Sequence, residues 1–248
     1  MSYADLADLA IPAPIAAHVS VERARALSER DAPNVPVGYR RFLIEARVAA
    51  LIRGPAEFSQ QVRYLVDMPN VDGRRARIRR GTEYLVLAAP APNRPGEIRL
   101  IAPDAQLPYA PATAERLRAI LRESTHANAA PRITGIGRAF HVPGSLPGES
   151  ETQYFLQTAD GRPISLTVLR RPGETPRWAV ALSEIVDNSA EPPARDTLLW
   201  YRLACTLPAT LPRQSLSEAA PDEARAIEAD YRVIKQGLGA CERNRRPR

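Results

Sequence analysis

The stretch TQYFLQTADGRPISLTVLR, residues 152–170, constrains the fold more than any other part of the chain. Apolar and polar residues alternate on both sides of Asp160 and Gly161, a dipeptide that tolerates the positive φ a tight hairpin turn requires. A one-residue slip would turn every apolar side chain to the wrong face, so the register is specified. The pattern predicts Tyr154, Leu156, Ile164, Leu166 and Val168 on one buried face. RWAVALS, residues 177–183, follows the turn RPGETP as the next strand, which makes a three- or four-stranded meander starting near NAAPRITGIGRAF.

Residues 1–110 read as a run of strands. IAAHVSV sets Ile15, Ala17, Val19 and Val21 against Ala16, His18 and Ser20, and RFLIEARVAALI sets Phe42, Ile44, Ala46, Val48, Ala50 and Ile52 against Arg41, Glu45 and Arg47. QVRYLVD, TEYLVLA and EIRLIA follow, separated by the turn stretches MPNVDG and PAPNRPG. A helix fits PATAERLRAIL, with Leu117, Ile120 and Leu121 on one side. Five antiparallel strands closed by a helix predict a small OB-like barrel, with an open sheet as the alternative. The C-terminal part reads as two helices, ARDTLLWYRLAC and PDEARAIEADYRVIKQGLG. The second carries Ala224, Ile227, Tyr231, Ile234 and Leu238 at spacings of three and four, the stripe of a helix packed on a core. The expected fold class is therefore α+β, mainly antiparallel β. Two domains are expected, residues 1–125 and 126–248.

Charge and composition narrow the function. The 24 prolines against 13 glycines fit short strands with stiffened connections. No window approaches the roughly 18 uninterrupted apolar residues of a membrane helix, so the chain reads as soluble. The net charge of +6 has two main sources. One is the C-terminal group Arg243, Arg245, Arg246 and Arg248; the other is RRARIRR, with Arg74, Arg75, Arg77, Arg79 and Arg80. The second is a candidate anion or partner surface, against the plainer reading of a solvated loop. Lys235 is the sole lysine and no glycine-rich phosphate loop precedes it, which argues against phosphate chemistry through lysine.

FHVPGSLPGESETQYF, residues 140–155, comes nearest to an active site. GESET departs from the Gly-x-Ser-x-Gly nucleophile elbow at Thr152, and a strand follows it where that elbow needs a helix. A loop between strands is the favoured reading, and a serine hydrolase using Ser150 or Ser145 with His141 the alternative. His18, His126 and His141 are scattered and the two cysteines stand 36 positions apart, so no metal site is expected. GIGRAF lacks the third glycine and the βαβ setting of a dinucleotide fingerprint, so no cofactor is expected either. Asp67, Asp72, Asp104, Asp160 and Asp187 fall mostly at turns, where aspartate serves the backbone. Cys205 and Cys241 flank predicted helix ends, and the 15-residue connection TLPATLPRQSLSEAA is long enough to bring them together. A disulfide, and with it an oxidising compartment, is expected over free thiols.

RFLIEARVAALIRGP, IRLIAPDAQLPYAP, the stretch from AFHVPG to SEIVD, and ARDTLLWYRLAC resemble an uncharacterised family of bacterial proteins predicted to be exported to the periplasm. The resemblance spans nearly the whole chain. It implies that a leader stands ahead of SYADLADLA and has been removed here, with Met1 added for expression, and that the mature protein is periplasmic or secreted. It implies no activity. Three functions follow: a non-enzymatic periplasmic protein binding a protein partner or envelope component, nucleic-acid binding by an OB-like barrel through the 74–80 arginines, and the serine hydrolase.

Overall fold

A computed structural model describes residues 1–28, 30–182 and 191–245. The expected strand residue Ser183, and Asp187, Arg246 and Arg248, lie outside the described residues. The chain divides into two compact units, Met1–Arg122 joined by the stretch from Asn244, and Glu123–Arg243.

The first unit opens with helix α1 (Tyr3–Ala10), where the sequence pattern predicts only strands. Its start is a capping box: Ser2 Oγ accepts from Asp5 N, and the Asp5 carboxylate accepts from Ser2 N. Leu6, Leu9 and Ala10 recur at helical spacing and are buried. Arg53 Nη1 donates to the carbonyls of Ala10, Ile11 and Ala13, each at 3.2 Å, and so satisfies the acceptors that the end of α1 leaves open.

Strands β1 (Ile15–Ala26), β2 (Tyr39–Arg53), β3 (Gln61–Pro69), β4 (Glu83–Pro90), β5 (Ile98–Leu100) and β6 (Gln106–Pro108) form one antiparallel sheet. Their order is β3-β2-β1-β4-β5, with β6 also on β4, one short strand more than the five expected. Ile15, Ala17, Val19 and Val21 share a buried cluster with Phe42, Ile44 and Ala46 of β2, Val62, Tyr64 and Val66 of β3, and Val86 and Ala88 of β4. The alternation of β2 holds at 42, 44 and 46. Val48, Ala50 and Ile52 keep the same phase but are only partly buried, with Arg47, Ala49 and Leu51 between them exposed. A single parallel bridge, Arg63 to Glu97, joins β3 to the segment before β5, with Arg63 N donating to Gly96 O at 2.8 Å. No continuous ladder closes this sheet, so the expected barrel is not closed by strand pairing. Helix α2 (Pro111–Thr125) follows, burying Leu117, Ile120 and Leu121 as its spacing predicts.

The C-terminal stretch is tied into this unit. Asp5 Oδ1 accepts from Asn244 N and Arg245 N, and the Arg245 guanidinium holds Asp104 through two bonds of 2.9 Å. Burial pushes the Asp5 carboxyl up, but the hydrogen bonds from Arg245, Ser2 and Asn244 outweigh it and hold the group below its ordinary value of 3.8. A carboxylate depressed in the fold stabilises it fully above the unfolded value near 4 and loses that contribution as pH falls through the folded value. Asp5→Asn should therefore cost about 1–3 kcal/mol at pH 7 and progressively less below pH ~4. Paired melting curves from pH 7 to pH ~3 check this, and a difference independent of pH would refute it.

The second unit carries β7 (Ile133–Pro143), β8 (Ser150–Thr158), β9 (Ile164–Arg170) and β10 (Arg177–Ala181) as an antiparallel meander in the order β10-β9-β8-β7. Tyr154, Leu156, Ile164, Leu166 and Val168 are all buried. The β8–β9 turn is longer than a two-residue tip, since the last paired residues are Leu156 and Ile164. Gly161 has φ +75°, while Asp160 accepts from Arg162 N and Nε. Helices α3 (Leu198–Ala204) and α4 (Pro221–Leu238) follow, with a 3-10 turn at Arg213–Leu216 between them. Ile227, Tyr231, Ile234 and Leu238 of α4 are buried as their spacing predicts.

Candidate functional site

Residues 140–155 form the β7–β8 hairpin, with the connection 144–149 closed by Gly144 N donating to Glu149 O at 2.7 Å. Ser150 pairs with Pro143, and His141 with Thr152. The ladder thus brings His141 to Thr152: Nδ1 lies 2.8 Å from Thr152 Oγ1. Neither Ser150 nor Ser145 hydrogen-bonds to His141.

What the hairpin builds is a buried polar chain between sheet and helix. Thr152 and Asp230 of α4 are both 0% exposed, and Thr152 Oγ1 donates to Asp230 Oδ2. Arg170, at the end of β9, donates through Nε to Asp230 Oδ1 at 2.6 Å. Because the one hydroxyl proton of Thr152 goes to the carboxylate, the His141 contact requires Nδ1 to carry the proton and Thr152 to accept. Three strands and one helix are thereby joined by His141, Thr152, Arg170 and Asp230, and with Thr152 at 0% exposure the network positions the helix rather than presenting a nucleophile. Thr152→Val keeps the shape but leaves a buried carboxylate oxygen without its donor, and should cost about 1–3 kcal/mol. Denaturant titration measures it; a change within about 0.5 kcal/mol would show that the bond carries nothing.

Sequence reasoning missed this network. The signal was Asp230 itself, which stands three residues after Ile227 and four before Ile234, inside the apolar stripe of α4. An acid in that position needs a buried partner. Further side chains secure α4: Tyr154 Oη donates to Ile227 O, Tyr231 Oη to Pro208 O at 2.7 Å, Lys235 Nζ to Leu207 O at 3.0 Å, and Trp200 Nε1 to Leu238 O at 2.8 Å. Burial pushes the Tyr154 and Tyr231 phenols up and the Lys235 amine down.

Cys205 closes α3 and Cys241 lies just past α4, and the two form a disulfide with Cα atoms 5.0 Å apart. Both cysteines of the chain are used.

Arg74, Arg75, Arg77, Arg79 and Arg80 are exposed on the β3–β4 connection. Ala76 and Ile78 between them pack against the buried cluster of the sheet, so the alternation throws Arg75, Arg77 and Arg79 outward. Among the described residues no group of three His, Cys, Asp or Glu is placed to hold a metal ion, and no helix is long and apolar enough to cross a membrane.

No family model matches the chain, and no curated protein matches it.

Proposed function

We propose that the chain is a non-enzymatic β-rich binding protein of the periplasm, engaging a protein partner or an envelope component. The observation that carries this reading is the Cys205–Cys241 bond, which commits both cysteines to structure. Such bonds persist in oxidising compartments and are rare in the cytosol. The likeness to exported bacterial proteins supports the same compartment. A binding role over an enzymatic one is supported by the use made of His141, Thr152 and Asp230, whose polar atoms serve one another.

The first unit is read as OB-like. Its order β3-β2-β1-β4-β5 and the parallel bridge from Arg63 to Glu97 are the pairings that a partly open five-stranded barrel uses. Slow hydrogen exchange at Arg63 N would agree; exchange as fast as an unprotected amide would leave an open sheet.

Osmotic-shock fractionation of the producing bacterium tests the compartment. Release of the protein with periplasmic markers is the expected result, and retention with cytosolic markers would overturn the reading.

A second reading, single-stranded nucleic acid on the 74–80 loop, draws on its five exposed arginines. Its test is titration with single-stranded DNA at low salt, where absence of salt-sensitive binding removes it.

A further inference from the structure

Most arginines of this protein with a carboxylate nearby hold it: Arg41 grips Asp67, Arg63 grips Glu97, Arg170 grips Asp230 and Arg245 grips Asp104. The five arginines of residues 74–80 behave differently. None has an ion pair or a side-chain hydrogen bond among the described residues, and Asp72 is the single acid in the connection 70–82. Mutual repulsion disfavours such a run, so its side chains stay hydrated unless an external anion meets them.

The backbone beneath them is nevertheless ordered. Val71 and Arg74 exchange backbone bonds of 3.1 and 2.9 Å around Asp72 and Gly73, whose φ values of 50° and 71° make the two-residue turn that Asp-Gly favours. Ala76 N donates to Asn70 Oδ1, and Ala76 and Ile78 are anchored on the sheet interior.

A second loop arrives at the same end of the sheet. Tyr39 pairs with Pro69, and Asn70 N donates to Gly38 O at 2.8 Å, which sets the β1–β2 connection beside the β3–β4 one. Each loop presents an aliphatic side chain to water next to that bond: Val37 is 101% exposed and Val71 is 61% exposed. A single exposed valine means little. Two on adjoining backbones, bordered by five unpartnered arginines, reproduce the pairing of apolar insertion with basic charge that holds proteins on anionic membranes.

We propose that this end of the first unit docks on the surface of a bilayer containing anionic phospholipid, with Arg74, Arg75, Arg77, Arg79 and Arg80 meeting headgroup phosphates and Val37 and Val71 entering between the headgroups. Lipid fits better than nucleic acid on two counts. Bases are held by aromatic stacking, and residues 70–82 contain no ring. Exposed aliphatic tips contribute to partition into a bilayer and have no use against a phosphodiester chain. The proposal rests on the periplasmic reading only for the membrane that the protein would encounter.

Sedimentation of the full, disulfide-bonded chain with vesicles tests it. Binding to vesicles of phosphatidylcholine with phosphatidylglycerol is expected, weakened by added salt, with none to phosphatidylcholine alone. The triple variant Arg75→Gln, Arg77→Gln, Arg79→Gln should lower binding about a hundredfold, at roughly fivefold per arginine. Val37→Ser with Val71→Ser should weaken it several-fold and leave its salt dependence unchanged. Equal binding to both vesicle types, or binding to neither, overturns the proposal without recourse to any variant. Binding to single-stranded DNA with none to vesicles would hand the loop to nucleic acid. Failure here leaves the compartment reading intact, because that reading is tested separately, by fractionation and by the redox state of the two cysteines in the cell.

Discussion

Replacing Asp230 with alanine should destabilise the second unit by about 3 kcal/mol, the low end of what removing one partner of a buried ion pair costs. The carboxylate is 0% exposed and accepts from both Thr152 and Arg170. Its loss removes the acceptor of the Thr152 hydroxyl proton, leaving that hydroxyl only its contact with His141, and opens a small void between β8 and α4. The low end applies because the Arg170 side chain is 36% exposed and can turn to water for new partners. Asp230→Asn keeps an acceptor for Thr152 and loses the charge facing Arg170, so it should cost about half as much. Chemical denaturation of the three proteins, followed by Trp178 and Trp200 fluorescence in this unit, gives the comparison. A loss below about 1 kcal/mol for the alanine variant would mean that the polar chain does not position α4.

Removing the disulfide should have the larger effect. The bond closes a loop with a sequence separation of 36, and on the chain-entropy account it narrows the unfolded ensemble by about 4 kcal/mol. Cys205→Ser with Cys241→Ser should therefore lower the melting temperature by about 8–16 °C, taking about 2–4 °C per kcal/mol for a chain of this length. Reductant should reproduce the shift in the parent chain and do nothing to the double variant. A parent chain indifferent to reductant, with its thiols shown to be free, would contradict the prediction.

Sequence patterning carried the strands because apolar residues recur at every second position in them. Tyr154, Leu156, Ile164, Leu166 and Val168 recur at every second position and each is buried, although β9 also buries Ser165 and Thr167 on its other face. The pattern failed where the physics is not period-2 burial. α1 is short, and its signals, Ser2 with Asp5 and then Leu6, Leu9 and Ala10, sit in a stretch whose alanines suit strand and helix alike. The two-strand neighbourhood of β1, which pairs with β2 on one side and β4 on the other, depends on long-range partners that no local window contains.

The same division holds for the sites. Two cysteines beside helix ends were legible because a covalent link demands only proximity that the intervening chain can reach. The arginines at 74–80 were visible as charge, but Ala76 and Ile78, which turn that charge outward, are informative only once the sheet interior they plug is known. Val37 carried no signal at all, since its meaning comes from the bond between Asn70 and Gly38, 32 residues apart in the chain. Asp230 was readable in principle as a polar residue on an apolar stripe, yet Thr152 and Arg170 could be assigned to it only through the register of β8 and β9.

The most direct test of the central claim is the redox state of Cys205 and Cys241 in the living cell. Cells are quenched in acid, free thiols are alkylated, and the mass of the recovered chain is compared with and without prior reduction. A protein of the periplasm should take up no alkylating group until it is reduced and then take up two, one on each cysteine. Two groups added without reduction would place the chain among reduced thiols and contradict the account.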